Sequence, residues 1–216
     1  MDYTGKKISV LGDSISTFKG ITTEDPNTFY GDRQITVGGF SGVEDTWWMR
    51  VIRGVGGVFE RDNAFAGSCV ADGCGLGRGM SAWERVGALG QPDVILIFGG
   101  ANDLGFGVSE ADFRAAYALM LERLRERYPG AEIWCGTLIN GVKVLDDEPY
   151  FMGEKPGKAL EPYSSVIRAC AAQAGAGVVD MAASGLEYDT IDGCHPTANG
   201  MAQLAALWLR AMGAQD

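Results

Sequence analysis

Three short segments, far apart in the chain, set polar side chains of catalytic type beside glycine or proline. They are Gly12-Asp13-Ser14, Gly100-Ala101-Asn102-Asp103 and Asp192-Gly193-Cys194-His195-Pro196. A serine hydroxyl is a poor nucleophile until a neighbouring base takes its proton. The chain has a single histidine, His195, so any Ser–His mechanism must use it. Asp192 stands three residues upstream, within loop reach of the imidazole. A carboxylate accepting from Nδ1–H leaves Nε2 as the acceptor, the tautomer a general base needs. Pro196 fixes the backbone beside the ring. Cys194 adjoins His195 in sequence, and adjacent residues seldom place their side chains for mutual proton transfer, which argues against a thiol nucleophile.

Ser14 follows the apolar run Lys7–Leu11 directly. In an open parallel sheet, ligands bind beyond the carboxyl ends of the strands. A serine at the end of the first strand is presented at that edge, and Gly12 permits the tight turn that lets it project. The bland alternative is a serine that merely caps the next helix. Asn102, after the run Val94–Phe98, can donate its amide to a developing oxyanion. Asn, Asp and Gly also favour ordinary turns. In Asn63–Ser68, Gly67 can bring its backbone N–H close to a substrate oxygen. Asp103 reads as a structural hydrogen-bonding group near the site.

The elements that must position these residues are legible as alternating patterns. Lys7–Leu11, Val94–Phe98, Glu132–Leu138 and Gly177–Asp180 are runs apolar on both faces, as buried parallel strands are. A weaker strand falls within Gly57–Phe65. Helical periodicity covers Asp45–Val55, Ser81–Leu89, Ser109–Tyr128, Pro162–Ala174 and Thr197–Met212. Strand–helix alternation predicts a three-layer α/β/α domain around a parallel sheet of about five strands. Two stretches fit no element, Phe18–Glu44 and Asn140–Leu160. Loops this long are functional, lid-like segments or plain surface loops.

Composition bounds the remainder. The 216 residues, 46% hydrophobic, can bury a full core and are expected to form one domain. The net charge of −10, without runs of Lys or Arg, argues against nucleic acid as a partner. Neither a signal peptide nor a membrane-length apolar stretch is evident, so a cytoplasmic location is expected. The five cysteines, Cys69, Cys74, Cys135, Cys170 and Cys194, form neither a disulfide framework nor a zinc motif. Cys135 and Cys170 fall in core patterns. The Gly73–Gly79 stretch lacks the spacing of a phosphate-binding loop and reads as a mobile loop near Gly67. Trp47-Trp48 could stack a sugar, with at least one of the two in the core.

Together the blocks resemble the SGNH hydrolase superfamily, the GDSL esterases and lipases. Gly12-Asp13-Ser14 resembles the first block, with Ile15 in place of the Leu of the name. Gly67 is similar to the second-block glycine, Gly100–Asp103 to the third-block GxND, and Asp192–Pro196 to the fifth-block DxxHP. The resemblance spans residues 12 to 196. It implies a flavodoxin-like sandwich, and Ser14, His195 and Asp192 as catalytic residues. It further implies an oxyanion hole from the N–H groups of Ser14 and Gly67 and the Asn102 amide, with no metal or cofactor. The expected function is hydrolysis of carboxylic esters, with short acyl chains such as acetyl groups on carbohydrate favoured as substrate. The alternatives are an inert carbohydrate-binding or scaffolding domain and, more remotely, a flavin or nucleotide binder.

Overall fold

The computed structural model describes residues 2–22, 27–151 and 160–214. Its strands are β1 (Lys7–Gly12), β2 (Val58–Ala64), β3 (Val94–Phe98), β4 (Glu132–Gly136), β5 (Gly141–Lys143), β6 (Gly177–Val179) and β7 (Tyr188–Thr190). Five of them form one parallel sheet in the order β2-β1-β3-β4-β6. All five residues of β3 are buried, as a strand covered on both faces requires. This is the flavodoxin-like order, in which the chain leaves β1 towards one edge and later returns to β3 on its other side. The two crossovers diverge, so a crevice opens at the carboxyl ends of β1 and β3.

The helices are α1 (Asp32–Val37), α2 (Trp47–Gly54), α3 (Trp83–Val86), α4 (Ala101–Gly105), α5 (Glu110–Arg127), α6 (Leu160–Gln173) and α7 (Ala198–Ala211). α2 packs with α7, while α5 packs with α3 and α6. Helix starts follow their caps: Thr46 Oγ1 accepts from Met49 N–H, Ser109 Oγ from Asp112 N–H and Thr197 Oγ1 from Gly200 N–H. The three-layer architecture and the five-stranded parallel sheet expected from the sequence are both observed.

Several boundaries differ from expectation. β4 stops at Gly136 rather than Leu138, and the Ser81–Leu89 pattern yields only the single turn of α3. α6 already includes Leu160 and Glu161, ahead of Pro162, because proline is tolerated in a first helical turn. Four elements were not expected: α1, α4, β5 and β7. β5 and β7 pair with each other, in parallel, as a separate two-stranded sheet. The Gly73–Gly79 stretch is not a loose loop. Ser68 bridges to Gly75, Met80 N–H donates to Cys69, and Asp72 holds both Arg78 and Gly79 N–H. Trp47 and Trp48 are both fully buried, which removes them as a sugar platform. Cys135 and Cys170 are core thiols as expected. Among the described residues no helix is long and apolar enough to cross a membrane.

The α2–α7 layer is fastened to the sheet by indoles. Trp47 stacks on Trp208 at 4.7 Å and meets Phe98 edge-on at 5.7 Å. A Cβ on Gly136 would lie 2.8 Å from the Trp208 ring, so the glycine makes room for the indole on β4. Trp208→Ala is therefore expected to lower the unfolding free energy by about 3–5 kcal/mol, read from urea denaturation.

Candidate active site

β1 delivers Ser14 to the crevice. Gly12 does not adopt a left-handed conformation; it is required for space. A Cβ there would lie 2.5 Å from Ser16 Oγ and 2.9 Å from the Phe98 carbonyl oxygen. Asp13, not Ser14, caps the single 3-10 turn Ser14–Ser16, with Oδ1 accepting Ile15 N–H at 3.1 Å. The Ser14 hydroxyl is thereby released from the capping role that the sequence left open.

His195 reaches the same place from the other end of the chain. Its Nε2 lies 2.8 Å from Ser14 Oγ, and its Nδ1 lies 2.8 Å from Asp192 Oδ2. The other carboxylate oxygen, Oδ1, accepts the backbone N–H groups of His195 at 2.8 Å and Cys194 at 3.1 Å. One aspartate thus fixes both the ring and the backbone that carries it. Burial alone would push the Asp192 carboxyl up. The hydrogen bond and charge of His195, with the two amides, outweigh burial and hold its pKa below the ordinary value.

The loop bearing His195 is anchored by the strands that the sequence did not disclose. Thr190, the last residue of β7, donates Oγ1 to Val142 O on β5 and accepts Gly193 N–H at 2.8 Å. Ile191 N–H donates to His195 O, and Tyr188 Oη and Tyr30 Oη donate to Cys194 O and Pro196 O. Gly193 has φ +91°, a left-handed conformation, and a Cβ there would meet Tyr150 at 2.6 Å.

The other two expected pieces sit on the two strands flanking β1. Gly67, with φ +80°, follows β2. Asn102 is buried in the first turn of α4, after β3, and donates one Nδ2 hydrogen to Ser68 O at 3.0 Å. That bond ties the asparagine to the turn of Gly67, and an amide carries a second N–H. Asp103 is fully buried and accepts Val70 N–H at 2.8 Å and Ala71 N–H at 3.0 Å, the structural task expected of it.

Two aromatic residues at the site were missed in the sequence. Phe29 stacks on the imidazole of His195 at 3.5 Å between centroids, and Phe151 meets it edge-on at 4.7 Å. They come from the two unassigned stretches, whose residues 23–26 and 152–159 lie outside the described residues. Arg33 of the first stretch forms an ion pair with Glu148 of the second. No periodicity marks such residues, since each is fixed by a contact made across the fold. His195 is left with no exposed surface and Ser14 with 4%.

A buried acid flanks the serine. The Asp13 carboxyl is pushed up to about 7, chiefly by burial and further by the charge of Asp103, with the Ile15 amide and Arg85 opposing. An unfolded aspartate titrates near 3.9. Between roughly pH 4 and 7 the folded chain therefore holds a proton that the unfolded chain has lost, and rising pH favours unfolding. In urea denaturation from pH 5 to 7.5, the parent is expected to lose more stability than Asp13→Asn. Equal losses would exclude Asp13 as the raised acid.

Residues 6–143 match the GDSL-like lipase/acylhydrolase family. The loop of Asp192 and His195 lies outside that match. A search of curated proteins finds no match. Among solved structures, a candidate GDSL-like lipase from Bacteroides uniformis ATCC 8492 is 27% identical over 97% of this chain and 96% of its own, with a TM-score of 0.71. A second, from Bacteroides ovatus ATCC 8483, is 23% identical over 98% of this chain and 100% of its own, with a TM-score of 0.73. An acetylxylan esterase from Geobacillus stearothermophilus shares the fold at 19% identity and a TM-score of 0.62, over 100% of this chain and 98% of its own. The chain belongs to the GDSL-like lipase/acylhydrolase family, within the SGNH hydrolase superfamily, and is an esterase of the acylhydrolase type.

Proposed function

We propose that this esterase cleaves short-chain carboxylic esters with Ser14 as nucleophile, His195 as general base and Asp192 as the group that orients the histidine. The observation that carries the reading is the unbroken pair of 2.8 Å hydrogen bonds from Asp192 through His195 to Ser14. Ser14 Oγ attacks the acyl carbon as its proton passes to Nε2. Asp192 stabilises the resulting imidazolium and does not take the proton itself. The tetrahedral oxyanion is held by the N–H groups of Ser14 and Gly67 and by the second amide hydrogen of Asn102. His195 then protonates the leaving alcohol, and water repeats the sequence on the acyl-enzyme.

Substrate preference is argued from the walls. A narrow slot bordered by Asp13 and Ile15, the chain neighbours of Ser14, is walled mainly by Phe98, Leu138, Ile139 and Leu160, with Asn140 also in its lining. Its apolar walls suit the alkyl part of an acyl group, and its narrowness suits a short one. The alcohol side is bordered by Tyr150 and Phe151, which are 48% and 47% exposed. Exposed aromatic faces suit the C–H faces of a sugar ring. The fold shared with an acetylxylan esterase is in keeping with acetyl groups on carbohydrate.

On p-nitrophenyl acetate, Ser14→Ala and His195→Ala are each expected to lose about 10⁴-fold or more in kcat. Rates equal to the parent would overturn the assignment. Along p-nitrophenyl esters of increasing length, kcat/KM is expected to fall steeply beyond the butyrate. A rise through octanoate would show that the slot does not limit the chain.

A further inference from the structure

One buried cation sits behind the proposed site and takes no part in the chemistry described above. Arg85 lies within the single turn of α3 and is 6% exposed, the only buried lysine or arginine among the described residues. Among the described residues it forms no carboxylate ion pair within 4.0 Å. Its hydrogen bonds go to backbone carbonyls instead. Nη2 donates to Gly12 O at 3.0 Å and to Asn63 O at 2.8 Å, and Nη1 donates to Arg78 O at 2.9 Å. Asn63 returns the contact by donating Nδ2 to Arg85 O at 2.6 Å. The Phe65 ring lies 5.8 Å below the guanidinium carbon.

The three carbonyls belong to three different segments. Gly12 is the last residue of β1, two before Ser14. Asn63 lies at the end of β2, four before Gly67. Arg78 closes the segment that returns from Gly67. A planar guanidinium with fixed donors sets distances between its acceptors in a way that a flexible ammonium does not. The feature is also costly. Burial pulls the arginine down to about 10, against the favourable charges of Asp62 and Asp13, and among the described residues its buried Nε–H has no partner. A strand end that needed only to be closed could be closed more cheaply by an apolar side chain.

We propose that Arg85 is a positioning residue for ester hydrolysis, clamping the carboxyl ends of β1 and β2 so that the Ser14 N–H and the Gly67 N–H converge on one oxyanion. The inference rests on the reading that Ser14 attacks and that Gly67 donates. Arg85 touches neither substrate nor reacting atoms. Its effect is confined to how well the two backbone donors are held as charge develops, so it acts on kcat and leaves KM nearly unchanged.

The test is kinetics on p-nitrophenyl acetate with the parent, Ser14→Ala, Arg85→Met, Arg85→Lys, Asn102→Ala and the double variant Arg85→Met/Asn102→Ala. Each is assayed well below its own melting temperature, with folding checked by circular dichroism. Arg85→Met is expected to lose about 10- to 100-fold in kcat with KM within twofold of the parent, less than the loss of a direct oxyanion donor. Arg85→Lys, which keeps the charge without the fork, is expected to recover only part of that rate. Because Asn102 serves the same oxyanion, adding Arg85→Met to Asn102→Ala should cost less than threefold more, a non-additivity that a remote loss of stability does not produce. If Arg85→Met fails to fold, Arg85→Lys carries the test, with an expected loss of about tenfold in kcat at unchanged KM. A folded Arg85 variant within twofold of the parental kcat, or losses that multiply fully in the double variant, overturns the inference. If Ser14→Ala is as active as the parent, the ester-hydrolysis reading falls and this inference with it. If Ser14→Ala is inactive while Arg85→Met is at parental rates, this inference falls alone.

Discussion

The hydrogen bond between Ser14 Oγ and His195 Nε2 joins groups 181 residues apart. Everything else at the site depends on the fold closing that gap. A parallel sheet does so in a specific way, because all of its strands end at the same edge. β1 lies inside the sheet with neighbours on both sides, so the serine at its end is held by two ladders. The histidine has no such support, since its loop follows the last short strand. Its precision comes from the small β5–β7 sheet, the Thr190 side chain, two tyrosine hydroxyls and both oxygens of Asp192. The chain thus uses two different means to fix the two partners: a rigid strand for one, a dense hydrogen-bonded loop for the other.

That arrangement puts an unusual amount of polarity inside. Asp13, Asp62, Asp103, Asp192, Asn63, Asn102, Arg85 and His195 are all buried around the carboxyl edge. Buried polar groups are tolerated when their hydrogen bonds are made. Here the carboxylates accept mainly from backbone amides, as Asp13 does from Ile15, Asp62 from Ala64, and Asp103 from Val70 and Ala71. Each of these bonds shapes a turn at a strand end. The burial cost is met by the apolar layers on either side, where residues 94–97 of β3 and the Trp47–Trp208 pair have no solvent contact. The rigid core and the polar rim are two parts of one balance.

How far the sequence disclosed this follows from what each residue answers to. The central strands and the long helices respond to local periodicity, and they were legible. Ser14, His195, Asp192 and Asn102 were legible because their residue types are chemically restrictive and their neighbours are Gly or Pro. Gly12 was picked out for the wrong reason, since its role is close packing against Phe98 and Ser16 rather than a turn that only glycine can make. β5 and β7 are three residues each, too short to show a pattern, and exist because each has the other to pair with. Phe29, Phe151 and Arg85 carry no local signal at all. They are specified by contacts with residues dozens of positions away.

The covering of His195 shows why those missed residues matter. With Phe29 on one face and Phe151 at the edge, the imidazole has no exposure. Excluding water strengthens every electrostatic interaction among the buried donors and acceptors. Phe29 is partly buried and packs against Tyr30, whose hydroxyl is bonded to Pro196, so its movement would disturb the histidine loop. Phe151 is 47% exposed, and its backbone N–H is tied to Asp192 O. The two rings are thus held by different means: Phe29 is packed between His195 and Tyr30, while Phe151 is held beside His195 through its backbone.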